Sequence, residues 1–194
     1  MKRLRPFRYF EPGTISEAVG ILAGEGVGAH PLAGGTDLLV RMKRGDLAPG
    51  ALVNLKRIPG LGGIEREPGG GIRVGALAVI SSIEHSPLVR TSHPVLAEAA
   101  GVLGSPSIRN LGTLGGNIGR ASPASDMAPS LLILRARMLV EGPKGKREVE
   151  VREFFKGPGE TVLSFGELIT SFLLPDMAPG SGAAYERIGR REGM

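Results

Sequence analysis

Residues 112–126 read Gly-Thr-Leu-Gly-Gly-Asn-Ile-Gly-Arg-Ala-Ser-Pro-Ala-Ser-Asp. The stretch carries four glycines and no apolar run long enough to bury one face of a helix. Because glycine loses more backbone entropy on folding than other residues do, such a segment indicates a place where the backbone must approach something closely. Successive backbone N–H groups in a turn of this kind form a site for anions.

An earlier segment, residues 33–38, has the same chemistry and reads Ala-Gly-Gly-Thr-Asp-Leu. It is predicted to join a strand over 29–32 to a helix over 36–43, whose positive N-terminal end would favour a phosphate. Two such turns predict a ligand with two phosphates. The alternatives are a tight turn without a ligand and, for the later segment, a structural loop in which Asp126 caps a helix over 126–134. Neither turn has the spacing of a dinucleotide-binding fingerprint or of a P-loop, which disfavours Rossmann dehydrogenases and nucleoside triphosphatases.

The composition is that of a globular protein of 194 residues, long enough for one sizeable core or two small lobes. The absence of cysteine excludes disulfides, thiolate zinc sites, cysteine-ligated iron–sulfur clusters and cysteine nucleophiles. A net charge of +5 with 4% aromatic residues disfavours a base-stacking nucleic-acid surface. There is no signal peptide and no membrane-length apolar window, so a cytoplasmic protein is predicted. The histidines are scattered and the glutamates are unpaired, so the sequence offers no obvious acid–base pair. This suggests that the chain binds a cofactor, which itself does the chemistry.

The hydrophobic periodicity predicts an α+β fold: a small βαβ-like lobe followed by a larger lobe of helices and mostly antiparallel strands. A helix over 15–22 is expected to begin with a capping box, Thr14 and Glu17, and to end at Gly24. Further helices are predicted over 82–89 and 94–103. Strands are predicted over 51–55, 72–76, 137–141, 147–151, 168–174 and 183–188.

The two glycine turns, followed by Ala-Ser-Pro-Ala-Ser-Asp at 121–126, resemble the FAD-binding medium subunit of the xanthine dehydrogenase / carbon monoxide dehydrogenase family of molybdenum hydroxylases. The order, the spacing and the Ser-Pro-x-x-Asp tail make the similarity specific. It extends over essentially the whole chain, including Tyr-Phe-Glu-Pro at 9–12, Phe-Phe-Lys-Gly at 154–157 and the late Tyr-Glu-Arg at 185–187.

The resemblance implies a two-lobed FAD-binding fold of the vanillyl-alcohol-oxidase, or PCMH, type, with a small lobe over 1–56 and a larger lobe over 57–194. Both turns would hold the FAD diphosphate and ribityl region through backbone N–H groups, and Asp126 would contact the adenosine end. Leu103 and Ile169 would lie near the flavin, and Arg187 stands where relatives often have a flavin-contacting lysine. The implied FAD-binding residues are Leu32, Ala33, Gly34, Gly35, Thr36, Asp37, Leu38, Leu103, Thr113, Leu114, Gly115, Gly116, Asn117, Asp126, Ile169 and Arg187.

By the same resemblance, the chain is an oxidoreductase subunit without a catalytic acid or base. Its FAD would pass electrons between a [2Fe-2S] small subunit and an acceptor such as NAD or a quinone, within a complex that contains a molybdenum-cofactor large subunit. Family members continue into a further C-terminal domain, which is expected to be absent here. Whether the isolated chain forms a homodimer stays open. The alternatives are an FAD-free remnant that serves as a protein-docking module and a self-contained reductase of the cell-wall-precursor type, which would need a substrate domain of its own.

Overall fold

The N-terminal part of the chain forms a small parallel sheet with two helices, as seen in a computed structural model that describes residues 4–188. The strand order is β1-β3-β2, and both pairings are parallel. The predicted strand over 29–32 is confirmed. The elements are β1 (Arg8–Phe10), α1 (Ile15–Glu25), β2 (Ala29–Leu32), α2 (Leu38–Arg44) and β3 (Ala51–Asn54), with 3-10 turns at Gly26–Gly28 and Leu55–Arg57.

The start of α1 is fixed by the predicted capping box. The Glu17 N–H donates to Thr14 Oγ1 at 3.2 Å, and the Glu17 carboxylate accepts from the Gly13 N–H at 2.8 Å. These bonds satisfy backbone donors that a helix N-terminus leaves unpaired. The predicted end at Gly24 is wrong, because the backbone first turns left-handed at Gly26, with φ of 79°.

The rest of the chain forms a larger antiparallel sheet covered by short helices. The strand order is β4-β5-β10-β6-β7, and a separate two-stranded ribbon pairs β8 with β9. This mixture confirms the predicted α+β class. The elements are β4 (Ile64–Arg66), β5 (Ile72–Gly75), α3 (Ile80–His85), α4 (Pro87–Ser92), α5 (Pro94–Val102), α6 (Pro106–Arg109), α7 (Leu114–Gly119), α8 (Met127–Ile133), β6 (Arg137–Gly142), β7 (Gly145–Glu150), α9 (Val151–Phe154), β8 (Phe155–Gly157), β9 (Glu160–Thr161) and β10 (Leu168–Leu174).

Three predicted elements differ from the structure. The stretch over 112–126 was expected to bury no helix face, but helix α7 forms within it and buries Leu114 and Ile118. The single helix over 82–89 is interrupted, because Pro87 has no N–H and instead begins α4, while the Ser86 hydroxyl accepts from the Val89 N–H at 3.3 Å. The strand over 183–188 is also wrong, since this segment has no regular structure.

Three hydrophobic cores lie within the described residues, the smallest of them formed by Leu32, Met42 and Leu52, and the other two hold the sheets together. The larger core lies between the five-stranded sheet and helices α3, α5, α7 and α8, with Phe154 and Phe172 fully buried. A smaller core packs α1 and β3 against Leu61 and Leu168, and Leu168 belongs to the larger sheet. The two sheets are therefore joined by a shared apolar contact. Within residues 4–188, no helix is long and apolar enough to cross a membrane.

Candidate functional site

The two glycine turns meet at one cleft of about 550 Å³, between the small parallel sheet and the larger sheet. Its size lies within the range of small-molecule and cofactor sites. Twelve of the sixteen residues predicted to bind a cofactor line it: Ala33, Gly34, Gly35, Thr36, Asp37, Leu38, Leu103, Thr113, Gly115, Gly116, Asn117 and Ile169.

The first glycine turn, residues 33–38, offers unused hydrogen-bond donors. Within the part of the chain that the structure describes, none of the five backbone N–H groups from Gly34 to Leu38 donates to another protein atom. Unpaired backbone N–H groups that are partly withdrawn from water need an external acceptor. The following helix, α2, has only seven residues. We therefore attribute the anion-binding character of this turn to its own N–H groups.

A close contact between the two turns explains the glycine at position 34. A Cβ on Gly34 would lie 2.0 Å from the carbonyl oxygen of Leu111 and 3.0 Å from Gly112 Cα. The next residue, Gly35, has a φ of +76°, which side chains rarely adopt. The first turn thus packs its backbone directly on the segment that leads into the second.

The second glycine turn, residues 112–119, already uses most of its donors within the protein. The N–H groups of Leu114 and Gly115 donate to the carbonyl oxygens of Ala78 and Ala76 at 3.0 and 2.8 Å. The Gly116 N–H donates to the capping Thr113 hydroxyl at 3.1 Å, and the Asn117 N–H to the Thr113 carbonyl at 2.9 Å. This arrangement argues against the predicted anion contacts of these four N–H groups.

The side chain of Asn117 is the donor that the second turn presents. Ser125 Oγ donates to Asn117 Oδ1 at 2.5 Å, and the same hydroxyl oxygen accepts from the Ala128 N–H at 3.2 Å. With the carbonyl oxygen of Asn117 engaged, its NH₂ group is left as a donor, and Asn117 lines the cleft. Ser125 therefore caps α8, and the prediction that Asp126 is the cap is wrong, because the Asp126 side chain makes no capping bond.

Two arginines bring positive charge to the cleft, and both pair with Asp37. Arg120 Nε lies 3.1 Å from Asp37 Oδ2, and Arg41 Nη1 lies 3.8 Å from the same oxygen. Burial, followed by the charge of Arg41, lowers the pKa of His30, which also lines the cleft. A lowered pKa keeps this imidazole neutral at neutral pH.

Apolar side chains form another part of the wall. Leu103 and Ile169 are each 8% exposed. Ile169 lies where the pairing of β10 with β6 shifts register, which re-aims side chains at that point of the strand. Arg109 fixes the turn after Leu103 by donating to its carbonyl oxygen at 3.3 Å, while also donating to Glu84 at 2.8 Å.

Four predicted residues do not line the cleft. Leu32 and Leu114 are buried in the hydrophobic interior. Asp126 accepts from the Tyr185 hydroxyl at 3.3 Å, and Arg187 Nη1 lies 3.7 Å from the same Asp126 oxygen. Burial, and then the Asp126 carboxylate, raise the pKa of Tyr185. Asp126 thus anchors the segment over 183–188, and its predicted contact with a cofactor stays a prediction.

Several residues of the cleft were not predicted. Arg120 and Ser125 lie within the opening stretch, where the excess of glycine drew attention to the backbone rather than to side chains. His30 and Arg41 lie in β2 and α2, on either side of the first turn. Others come from distant elements and had no local signal, among them Ala76, Ile80, Ile108 and Glu167. Among residues 4–188, no cluster of histidine, aspartate and glutamate could hold a metal ion. The cleft therefore combines anion-binding donors with apolar walls, which suits an elongated ligand with a phosphate-bearing part and an apolar part.

Comparisons with known proteins agree with this chemistry. The family described as the FAD binding domain in molybdopterin dehydrogenase matches residues 5–177. The carbon monoxide dehydrogenase medium chain of Hydrogenophaga pseudoflava is 38% identical over 187 residues, which cover 96% of this chain and 65% of that protein. The nicotinate dehydrogenase FAD-subunit of Eubacterium barkeri is 31% identical over 195 residues, covering 98% of this chain and 66% of that protein.

Solved structures show the same similarity in three dimensions. Carbon monoxide dehydrogenase from Hydrogenophaga pseudoflava superimposes with a TM-score of 0.95 and 38% identity, covering 99% of this chain and 67% of that one. Quinoline 2-oxidoreductase from Pseudomonas putida 86 gives a TM-score of 0.93 and 28% identity, covering 99% and 66%. The chain thus spans about two thirds of the length of these relatives. With the family matched over most of its residues, the chain belongs to the FAD-binding domains of molybdopterin dehydrogenases.

Proposed function

We propose that the cleft binds FAD and that the chain serves as the flavin-bearing part of a molybdenum-hydroxylase-type dehydrogenase. The observation that carries this proposal is the row of five N–H groups from Gly34 to Leu38, which have no partner among residues 4–188 and belong to residues that line the same cleft as Asn117. A diphosphate supplies the acceptors that these donors lack. Membership of the family supports FAD as the source of that diphosphate.

The proposal distributes the cofactor over the cleft. The first glycine turn binds the diphosphate through its N–H groups, with Thr36 adding a hydroxyl. The Asn117 amide donates to the ribityl or diphosphate oxygens. Leu103 and Ile169 cover the apolar isoalloxazine and exclude water from it. Asp126 and Arg187, which lie outside the cleft, would act on the cofactor through the segment that they anchor.

The fold that belongs to this function is the two-lobed vanillyl-alcohol-oxidase, or PCMH, type, with lobes over 1–56 and 57–194. The separate sheets of residues 8–54 and 64–174 support this division. FAD placed between the lobes would contact the first glycine turn from one side and the second from the other.

Bound FAD supplies the capacity to accept and release electrons, and the chain contributes binding, orientation and electrostatics. We propose that the electrons arrive from an iron–sulfur subunit, which receives them from a molybdenum-cofactor subunit, and leave to NAD or a quinone. The names of the relatives, which include carbon monoxide, nicotinate and xanthine dehydrogenase subunits, support the part of this proposal that makes the chain a subunit of a dehydrogenase. The absence of cysteine is consistent with clusters held by another chain.

A cleft-filling substitution tests the site. A Cβ on Gly119, the last residue of α7, would meet only Ile169 Cδ1, at 3.8 Å. Because Gly119 lines the cleft, we expect a larger side chain there to occupy it. Gly119→Leu is expected to abolish the bound flavin absorbance near about 450 nm that the parent chain gains with FAD. Gly20→Leu is the matched control, because Gly20 is also helical and an added Cβ there has no neighbour within 4 Å.

The two variants are compared for thermal unfolding as well as for binding. Replacing a helical glycine by leucine favours the helix, so neither variant should unfold at a lower temperature than the parent. Full FAD binding by folded Gly119→Leu would place the cofactor elsewhere. No binding by the parent chain would overturn the proposal and favour a protein-docking module.

A further inference from the structure

A three-residue ion-pair cluster joins the two glycine turns across the cleft. Asp37 belongs to the first turn, while Arg120 follows α7 at the end of the second turn. Arg120 Nε lies 3.1 Å from Asp37 Oδ2, and Arg41 Nη1 approaches the same oxygen at 3.8 Å. All three residues line the cleft.

The Asp37 side chain has no evident role in folding. It makes no capping hydrogen bond to α2, although Asp37 stands at the N-cap position. It is 51% exposed, and ion pairs this exposed contribute little to the free energy of unfolding. Its contacts in the described structure are with the two arginines.

The same carboxylate is an unfavourable neighbour for an anion. The other acidic residue of the cleft, Glu167, is engaged by Arg147 through two hydrogen bonds of 2.7 Å. Asp37, by contrast, lies within the row of unpaired N–H groups that attracts negative charge. Its negative charge neutralises the nearby guanidinium groups and repels a second anion at the turn.

We propose that Asp37 acts as a resident counter-ion, which holds Arg120 and Arg41 at the cleft until the diphosphate of the cofactor replaces it as their acceptor. Arg120 is thereby assigned as a diphosphate-binding residue and Asp37 as a competitor that weakens binding. Arginine suits this exchange because its planar guanidinium binds carboxylate and phosphate in similar geometry. This inference rests on the proposed function, since it takes the diphosphate to be that of FAD.

Charge-neutral substitutions test the exchange by FAD titration of the 194-residue chain. Arg120→Gln is expected to weaken FAD binding about tenfold, as for the loss of one charge-assisted contact. Asp37→Asn is expected to tighten it about fivefold, since one repulsive unit charge at close range is removed from a water-exposed site. In the double variant, the gain from Asp37→Asn should be smaller, because Arg120 is no longer there to be released.

Matched controls use an ion pair outside the cleft. Arg137 Nη1 lies 2.8 Å from Glu148 Oε2 on the β6–β7 hairpin, and both side chains are about as exposed as the Asp37 pair. Arg137→Gln and Glu148→Gln impose the same changes of charge and are expected to leave the affinity unaltered. Raising the ionic strength should weaken FAD binding by the parent chain more than by Arg120→Gln.

Three results would overturn the exchange. The first is an unchanged or weaker affinity for Asp37→Asn, which would make its carboxylate neutral or a direct ligand, and the second is an unchanged affinity for Arg120→Gln. Equal effects in the control pair would show that the FAD affinity depends only on the net charge of the chain. That outcome would likewise overturn the exchange. Failure of the parent chain to bind FAD is a different outcome, because it rejects the proposed function itself.

Discussion

Gly34→Ala tests whether the two glycine turns depend on direct backbone contact. The added Cβ would lie 2.0 Å from the Leu111 carbonyl oxygen and 2.8 Å from its carbonyl carbon. Both atoms belong to the main chain, so no side-chain rotation can relieve the overlap. The turns must separate by about 1 Å, because Cβ atoms essentially never come within 3.0 Å of another atom.

The expected loss of stability follows from the hydrogen bonds made next to Leu111. The next residue, Gly112, donates to the Ile108 carbonyl at 2.7 Å and accepts from the Ile80 N–H at 2.9 Å, so a displacement strains both bonds. Overpacking of this kind costs about 1–3 kcal/mol, and the reduced entropy of the unfolded alanine chain returns about 0.4–1 kcal/mol. We expect a net loss of about 1–2 kcal/mol, equivalent to a fall of about 2–8 °C in Tm for a chain of this length.

Urea unfolding followed by circular dichroism measures this loss. Gly62→Ala is the control, because Gly62 is also outside helices and strands and an added Cβ would lie 3.9 Å from the Leu77 carbonyl oxygen, an ordinary contact. If Gly34→Ala unfolded at the same urea concentration as Gly62→Ala, the turns would not be in the contact described here. FAD affinity should fall in Gly34→Ala alone, since the neighbouring N–H groups move with the turn.

Two further predictions concern the residues that support the cleft. Ser125→Ala is expected to lower the free energy of unfolding by about 1 kcal/mol through loss of the α8 cap. An unchanged free energy of unfolding in urea would contradict this and favour Asp126 as the capping residue. Hydrogen bonding with Arg147 lowers the pKa of Glu167, so its ionised form stabilises the fold above the ordinary glutamate pKa, and this contribution is lost as the pH falls through the lowered value. Glu167→Gln should therefore be less stable than the parent at neutral pH but not in acid; an equal deficit at both ends of a pH series of unfolding measurements would contradict this.

The first glycine turn was predicted well because its signals are local. A short apolar strand, paired glycines and an apolar helical run follow one another within fifteen residues, 29–43, and the structure has a strand, a turn and a helix in that order. Glycine with positive φ was needed at Gly35, as a turn of this kind requires. The local sequence was therefore enough to predict the shape of this turn and the exposure of its backbone N–H groups to a ligand.

The second glycine-rich segment was expected to be a turn, but most of it forms helix α7, and its backbone donors are paired within the protein. Gly115 is required because a Cβ there would lie 2.8 Å from both Cβ and the carbonyl oxygen of Ala76, which follows β5 and is far away in sequence. No local pattern contains that neighbour. Ser125 and Asp126 are equally good caps by residue type, and the choice between them depends on long-range partners, Asn117 for one and Tyr185 for the other.

The glycines of the two turns therefore do not all answer the same physical requirement. Gly34 and Gly115 let main chains touch within the protein, and the donors left over at the first turn are available to a ligand because that turn packs through its glycine Cα rather than through its N–H groups. Substitution at Gly34 must consequently change folding and binding together. Gly119 is different, because its added side chain meets only the wall of the cleft at ordinary distance. Comparing the two positions separates the glycines that build the cleft from the one that leaves it open.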